Sequence, residues 1–200
     1  MQKYLREQNE IGIDEAGRGP LFGRVYAGAV IWNSEKHNDI INDSKKLTPK
    51  KRKIALEWIK TNVKAWGVGY AEPEEIDKIN ILEATKLAMD RAIENLNKSF
   101  PDIKSTNIII DGVGWEGKFK NLKVKSVVKG DANFYSIASA SIIAKEYHDE
   151  HIKELCDKNP ELNEKYCLAK NMGYGTAKHI EGIKKYGLTP YHRKSFKLKT

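Results

Sequence analysis

Four carboxylates in this 200-residue chain occupy the same kind of place. Asp14, Glu15, Asp111 and Asp131 each stand at, or just past, the end of an apolar, β-branched run. Any one alone reads as a helix N-cap or an ion-pair partner. Four that converge do not, because like charges within a few ångströms repel and raise one another's pKa unless a cation neutralises them. The implied chemistry is metal-assisted. All-oxygen donors, with no accompanying Cys or His set, select a hard ion, Mg²⁺ or Mn²⁺ over Zn²⁺. Two such ions about 4 Å apart serve in-line displacement at a phosphodiester. Strand alternation sends adjacent Asp14 and Glu15 to opposite faces, so either the strand ends or bulges there, or Glu15 acts through its carbonyl or a water.

Gly17, Arg18 and Gly19 follow at once, ahead of Pro20. Two glycines flanking an arginine let main-chain groups approach a ligand more closely than a Cβ permits. In isolation this is an ordinary tight turn, and a dinucleotide site is disfavoured because the GxGxxG spacing fails and no βαβ unit follows. Beside a metal cluster, exposed amides and carbonyls suit a ribose 2′-hydroxyl, the group that distinguishes RNA from DNA.

A net charge of +8 and a pI near 9.2 favour an anionic partner without choosing among DNA, RNA and an acidic surface. The excess is concentrated. Residues 36–53 carry seven Lys or Arg, including Lys45 and Lys46, against Asp39 and Asp43. Residues 191–200 add Arg193, Lys194, Lys197 and Lys199 beside Tyr191 and Phe196. Either run by itself reads as a solvated face; flanking a nucleic-acid site, both become phosphate contacts.

The elements that must position these groups follow from periodicity. Residues 11–14, 25–32 and 65–70 read as strands, an opening meander interrupted by a helix over 50–61 with Ile54, Ala55, Trp58 and Ile59 on its apolar stripe. A long helix over 74–97 follows, then two strands predicted to be buried, 107–111 and 124–128. A helix over 135–155 is rich in Ala and Ser, small enough to lie close on a sheet. The last helix, 176–186, has Thr176 as N-cap and Gly187 as its stop. Strands first, then helix and strand in alternation, predict a mixed α/β sheet with helices on its faces. The sparse apolar pattern of 157–170 marks off a small helical appendage.

Other residues are expected to be structural. His148 and His151, three apart among acidic neighbours, read as a solvated, charge-paired face, and Trp58 and Trp66 as core. Cys156 and Cys167 form no CxxC pair, so neither a disulfide framework nor a structural zinc site is supported. No nucleophile elbow indicates a serine or cysteine hydrolase. A charged segment 1–10 and the lack of any apolar run of roughly 18 residues predict a soluble, cytoplasmic protein.

The motifs carry a resemblance. Gly12-Ile13-Asp14-Glu15-Ala16-Gly17-Arg18-Gly19-Pro20-Leu21 resembles the signature of the ribonuclease HII family, and Asp43-Ser44-Lys45-Lys46-Leu47 its following basic motif. Similar segments continue in order: Ile76-Asp77-Lys78-Ile79-Asn80-Ile81, Ile110-Asp111-Gly112, Lys129-Gly130-Asp131, Ala138-Ser139-Ala140-Ser141-Ile142-Ile143-Ala144-Lys145, Gly173-Tyr174-Gly175-Thr176 and His192-Arg193-Lys194-Ser195-Phe196. The resemblance implies a ribonuclease H-like catalytic domain over 1–160, built on a mixed five-stranded sheet, with a small helical substrate-contacting part over 161–200. It further implies Asp14, Glu15, Asp111 and Asp131 as metal ligands, Gly17, Arg18 and Gly19 as the 2′-hydroxyl reader, and Tyr174 as the sensor of the junction between ribonucleotide and deoxyribonucleotide. Lys45, Lys46 and Arg193 are expected on substrate phosphates. The substrates implied are RNA–DNA hybrids and duplex DNA carrying ribonucleotides, cleaved with two Mg²⁺ or Mn²⁺ ions. Three departures from the family pattern stand out: Arg24 where the family usually has proline, His148-Asp149-Glu150 in place of a more basic stretch, and Asn171-Met172 ahead of the Gly-Tyr-Gly turn. No sliding-clamp motif is evident, and a monomer is expected. Two rivals make different demands: a basic RNA-binding module needs no carboxylates, and a DNA-only nuclease of the same broad fold ignores the 2′-hydroxyl.

Overall fold

Three antiparallel strands open the sheet. β1 (Ile11–Ala16), β2 (Val25–Ile31) and β3 (Ala65–Ala71) pair in continuous register, Ile11 opposite Ile31 and Val25 opposite Ala71. β4 (Asn107–Asp111) then adds to β1 in parallel and β5 (Lys123–Val127) to β4 in parallel, giving the five-stranded order β3-β2-β1-β4-β5. The computed structural model describes residues 1–3, 5, 9–33, 35–101 and 107–198, so Lys199 of the basic tail lies outside it.

Helices cover both faces. α1 (Pro49–Asn62) starts on the Thr48 hydroxyl with proline in its first turn. α2 (Pro73–Ser99) starts on a reciprocal Glu72–Glu75 capping box. The predicted long helix is broken at Asn80, whose φ of 68° interrupts the ladder and whose Oδ1 accepts from the Leu82 and Glu83 amides, restarting the helix. α2 packs on the face carrying Ile11, Ile13, Ala27 and Ala29. The opposite face, with Val30, holds α1 and α4 (Tyr135–Lys158), which follows the short α3 (Gly130–Asn133).

The small residues of α4 act as predicted: 135–144 are all buried, and the helix lies so close that a Cβ on Gly12 would come within 2.4 Å of Ser136 Oγ. Three short helices, α5 (Pro160–Tyr166), α6 (Leu168–Asn171) and α7 (Ala177–Tyr186), share a separate small core with Phe22, Ile152 and Cys156. No described helix is long and apolar enough to cross a membrane.

Two sequence expectations need correction. β5 is a half-exposed edge strand rather than a buried one: Lys123 and Lys125 point outward, and Val128, just past its end, is 64% exposed. The buried stripe of α1 is Arg52, Ala55, Leu56 and Ile59, with Ile54 turned to solvent. On α4, half-buried Glu146 and buried Asp149 accept from the Arg52 guanidinium, which lets a charged residue take a core position.

Candidate active site

The parallel pairing of β1, β4 and β5 brings three carboxyl-terminal strand ends to one edge, the place where ligands bind on α/β sheets. Ile13 pairs with Ile110, so Asp14 and Asp111 are the next residues on neighbouring strands. Asp131 arrives from β5 through Lys129, whose left-handed backbone (φ 56°) turns the chain into α3. The Gly130 amide donates to Asp111 Oδ1 at 2.7 Å, tying the two carboxylate-bearing segments together.

β1 runs through Ala16 in unbroken register, so the strand neither ends nor bulges at Glu15. Asp14 faces α4, where Ser141 hydrogen-bonds it, and its Oδ1 accepts from the Glu15 amide at 2.7 Å. Glu15 pairs with Arg18 across the turn at 3.1 Å. Both still line one cleft of about 400 Å³ with Gly17, Arg18, Gly19, Lys45, Lys145 and Tyr174, because β1 pairs with β4 only as far as Ile13 and its last residues stand at an open edge that either face can reach.

Electrostatics mark the edge as wanting a cation. Burial raises the Asp14 pKa well above the usual carboxylate range, and the charges of Glu15 and Asp111 raise it further. Burial raises Glu15 too, with Arg18 pulling the other way. Asp131 is raised by burial and by Asp111 and Asp43. Asp131 has its counter-charge in Lys45, 3.8 Å away on an 82% exposed side chain. Burial opposes its charge, but Asp131, Asp14, Asp43 and Asp111 together hold its pKa above the ordinary value. Lys46 is exposed.

Among the described residues, no three His, Cys, Asp or Glu groups close around a point as a complete ligand set. Mg²⁺ in particular is held by one or two carboxylates, with water and substrate phosphate supplying the rest. All-oxygen, buried and mutually repelling donors fit such an ion, and Asp14, Glu15, Asp111 and Asp131 are the residues that would hold it.

Opposite the carboxylates, Gly17 (φ 86°) has His148 directly behind it, where a Cβ would come within 2.4 Å of the imidazole. A side chain at position 17 is therefore excluded twice, by conformation and by space. Arg18 and Gly19 are exposed, and Tyr174, 43% exposed, sits with its ring 3.5 Å from the place a Cβ on Gly19 would take. The glycine turn and the tyrosine thus line the same cleft.

Arg193 is not available to a phosphate. It is 1% exposed, and its guanidinium donates to five carbonyls, those of Gly17, Arg18, Pro20, Gly23 and Arg24, at 2.6–3.1 Å. Burial brings its pKa down to about 9, which leaves it charged at neutral pH. The residue expected to hold substrate instead holds the 17–24 turn from behind, because a buried guanidinium needs acceptors in its own plane and the turn supplies them.

The solvated histidine face is likewise corrected. His148 is 1% exposed and its Nδ1 lies 3.0 Å from Asp149 Oδ1, while Asp149 also accepts from Arg52 at 3.1 Å and Lys145 at 2.8 Å. Sequence reasoning does not assign Ser141, Lys145, His148, His179 or His192 to the site. The small residues around Ser141 signal close packing, and the order of the motifs Lys129-Gly130-Asp131, 138–145, Gly173-Tyr174-Gly175 and His192-Arg193 hints that these segments meet.

Comparison with known proteins decides the family. The profile of the Ribonuclease HII family matches residues 11–199. The chain belongs to the ribonuclease HII family. It is 49% identical to the Ribonuclease HII of Rickettsia akari over 186 residues, covering 93% of this chain and 90% of that one. Among solved structures, the ribonuclease H2 of Pyrococcus horikoshii OT3 superimposes with a TM-score of 0.71 at 28% identity, over 94% of this chain and 93% of that one. Bst-RNase HIII in complex with Mn²⁺ shares the fold, with a TM-score of 0.66 at 19% identity, over 88% of this chain and 69% of that one. A family member of this kind is a nuclease, and the five-stranded α/β sheet predicted from the motifs is the ribonuclease H-like fold.

Proposed function

We propose that this protein cleaves the RNA strand of RNA–DNA hybrids and nicks duplex DNA on the 5′ side of embedded ribonucleotides, leaving 3′-hydroxyl and 5′-phosphate ends. One observation carries the reading: Asp14, buried and repelled by Glu15 and by Asp111 on the adjacent parallel strand, shares with Glu15 a cleft that a glycine turn and an exposed tyrosine also line. Asp14, Glu15, Asp111 and Asp131 hold two Mg²⁺ or Mn²⁺ ions, and the Mn²⁺ named for Bst-RNase HIII supports a divalent cofactor in the wider fold. Such ions lower the pKa of an attacking water and stabilise the leaving 3′-oxygen.

The rest is done by the chain's own groups. Asp14 is kept from bulk water by the close packing of α4, which Gly12 permits, so its charge acts at a poorly screened edge. The 17–19 turn, held by Arg193, offers amides and carbonyls to a 2′-hydroxyl. Tyr174 stacks on the sugar that follows the ribonucleotide, while Lys45 and Lys46 contact the backbone and the 161–200 part supports the duplex. A single hydrogen bond to a 2′-hydroxyl contributes only about 1 kcal/mol, too little for strong discrimination through affinity. Alignment is the stronger lever, since a misplacement of about 1 Å costs roughly a hundredfold in rate.

The test compares a duplex carrying one ribonucleotide with its all-DNA twin in Mg²⁺, Mn²⁺ and excess EDTA. Cleavage of the first alone, abolished by EDTA, is expected. Cutting of both duplexes would make this a DNA nuclease, and binding without cleavage in either metal would make it an RNA-binding module.

A further inference from the structure

Two histidines that this chemistry does not use are buried directly behind Tyr174. His179, on α7, is 0% exposed and His192, in the segment that follows, is 1% exposed. Their Nε2 atoms are 3.1 Å apart, so one proton lies between the rings. The neighbours decide which ring carries it. A carbonyl only accepts, so His179 Nδ1, 3.0 Å from the Tyr174 carbonyl, bears a hydrogen. A backbone amide only donates, so His192 Nδ1, 2.9 Å from the Thr189 amide and 2.8 Å from its hydroxyl, is bare. A neutral imidazole has one N–H, hence His192 Nε2 donates and His179 Nε2 accepts. Hydrogen bonds run one way, from Thr189 through His192 and His179 to the Tyr174 carbonyl.

We propose that His179 and His192 are positioning residues for Tyr174: their one-way hydrogen-bond chain fixes the 173–175 turn, and so the ring, against the Gly19 turn, and it holds only while both imidazoles are neutral. A second proton on either ring would set N–H against N–H, or leave Thr189 donating to a nitrogen that no longer accepts. Aromatic rings close in around the pair, with Phe22 5.0 Å from His192 and Tyr166 4.9 Å from His192 and 6.0 Å from His179. The titratable groups facing the pair are each other and Tyr166, whose hydroxyl donates to the Gly187 carbonyl. Neighbouring Arg193 turns its guanidinium away, to the 17–24 carbonyls. Burial lowers both histidines, His192 to about 4, with the carbonyls of Tyr174 and Gly173 opposing it at His179. The same dipeptide, His192-Arg193, therefore anchors both halves of the proposed reader, Arg193 the glycine turn and His192 the tyrosine turn.

This inference rests on the reading of Tyr174 as the junction sensor, and the experiment separates the two. Single-turnover cleavage of a one-ribonucleotide duplex is measured for the full chain carrying Tyr174→Ala, His179→Leu, His179→Asn, and Tyr174→Ala with His179→Leu. His179→Leu removes the donor to the carbonyl and should slow cleavage roughly tenfold or more, with duplex affinity changed by less than about twofold. His179→Asn, whose amide can still donate, should recover most of the rate. In the Tyr174→Ala background, His179→Leu should cost nothing further. Nitrogen-15 NMR of the unsubstituted protein should find His179 protonated on Nδ1 and His192 on Nε2, and this arm stands even if the leucine variant fails to fold. A folded His179→Leu protein at wild-type rate, an equal loss with and without the Tyr174 ring, or the opposite tautomers would overturn the relay. Wild-type cleavage by Tyr174→Ala would overturn the tyrosine reading and the positioning role with it, leaving the tautomers in place.

Discussion

At the scale of single residues, the acidic edge trades stability against chemistry. Asp14 is 6% exposed, with its pKa raised first by burial and then by Glu15 and Asp111. A carboxyl raised in the folded state favours folding below its ordinary value of 3.8, and that contribution is lost as pH rises through the raised value. At pH 7 without metal, ionised Asp14 therefore opposes folding. Asp14→Asn keeps the shape and the acceptor for the Glu15 amide but removes the charge. In EDTA it should melt a few degrees higher than wild type at pH 7, each kcal/mol being worth roughly 2–4 °C in a chain of this size, and the gain should shrink toward pH 4. In Mg²⁺ it should bind hybrid but not cleave it. Calorimetry and a cleavage assay on the same preparation check both halves; a variant that turns over normally removes Asp14 from the site.

At the scale of elements, the buried histidines make the α4 and α7 regions acid-sensitive. His148, His179 and His192 are all lowered by burial, His192 to about 4, from an ordinary value of 6.5. A depressed pKa contributes stability that is fully present above 6.5 and is lost as pH falls toward the folded value. The melting temperature should thus decline between about pH 6.5 and 4, against the trend of Asp14. His192→Gln, which keeps a neutral donor toward His179 and does not titrate, should flatten that decline. An equally steep pH dependence in the variant would place the acid lability elsewhere.

At the scale of the whole molecule, a charge of +8 is arranged around an acidic centre. Lys45 stands 3.8 Å from Asp131 and Lys46 is exposed beside it, on a short helical turn (Ser44–Lys46) whose Ser44 hydroxyl lies 2.8 Å from that of Ser141 on α4. The basic motif is thereby pinned to the helix that covers Asp14. Phosphate contacts release counterions, so Lys45→Ala with Lys46→Ala should reduce the slope of log affinity against log salt by up to about two units. Affinity should fall by a similar factor on all-DNA and ribonucleotide-containing duplexes, because backbone contacts carry no sequence or sugar information. An unchanged slope would assign both lysines to a solvated face.

What the sequence by itself determined was local. Period-2 and period-3.6 patterns, the cap at Thr176, the stop at Gly187 and carboxylates at apolar run ends are written in neighbouring residues, and each reappears in the fold. The β1–β2–β3 meander and the placing of Asp14 and Asp111 at strand ends were legible for that reason. Tertiary structure decided everything that depends on which distant segments meet. The packing of α4 against Arg52 and Gly17 buried a histidine and an aspartate that their acidic neighbours suggested were solvated. The return of 191–193 alongside 21–23 turned Arg193 from a phosphate ligand into the anchor of five carbonyls, and set His192 against His179. The physical reason is shared: a charged or titratable side chain is read from its local company as exposed, but partners supplied from across the chain, Arg52 for Asp149, the 17–24 carbonyls for Arg193 and His179 for His192, offset part of the cost of burying it.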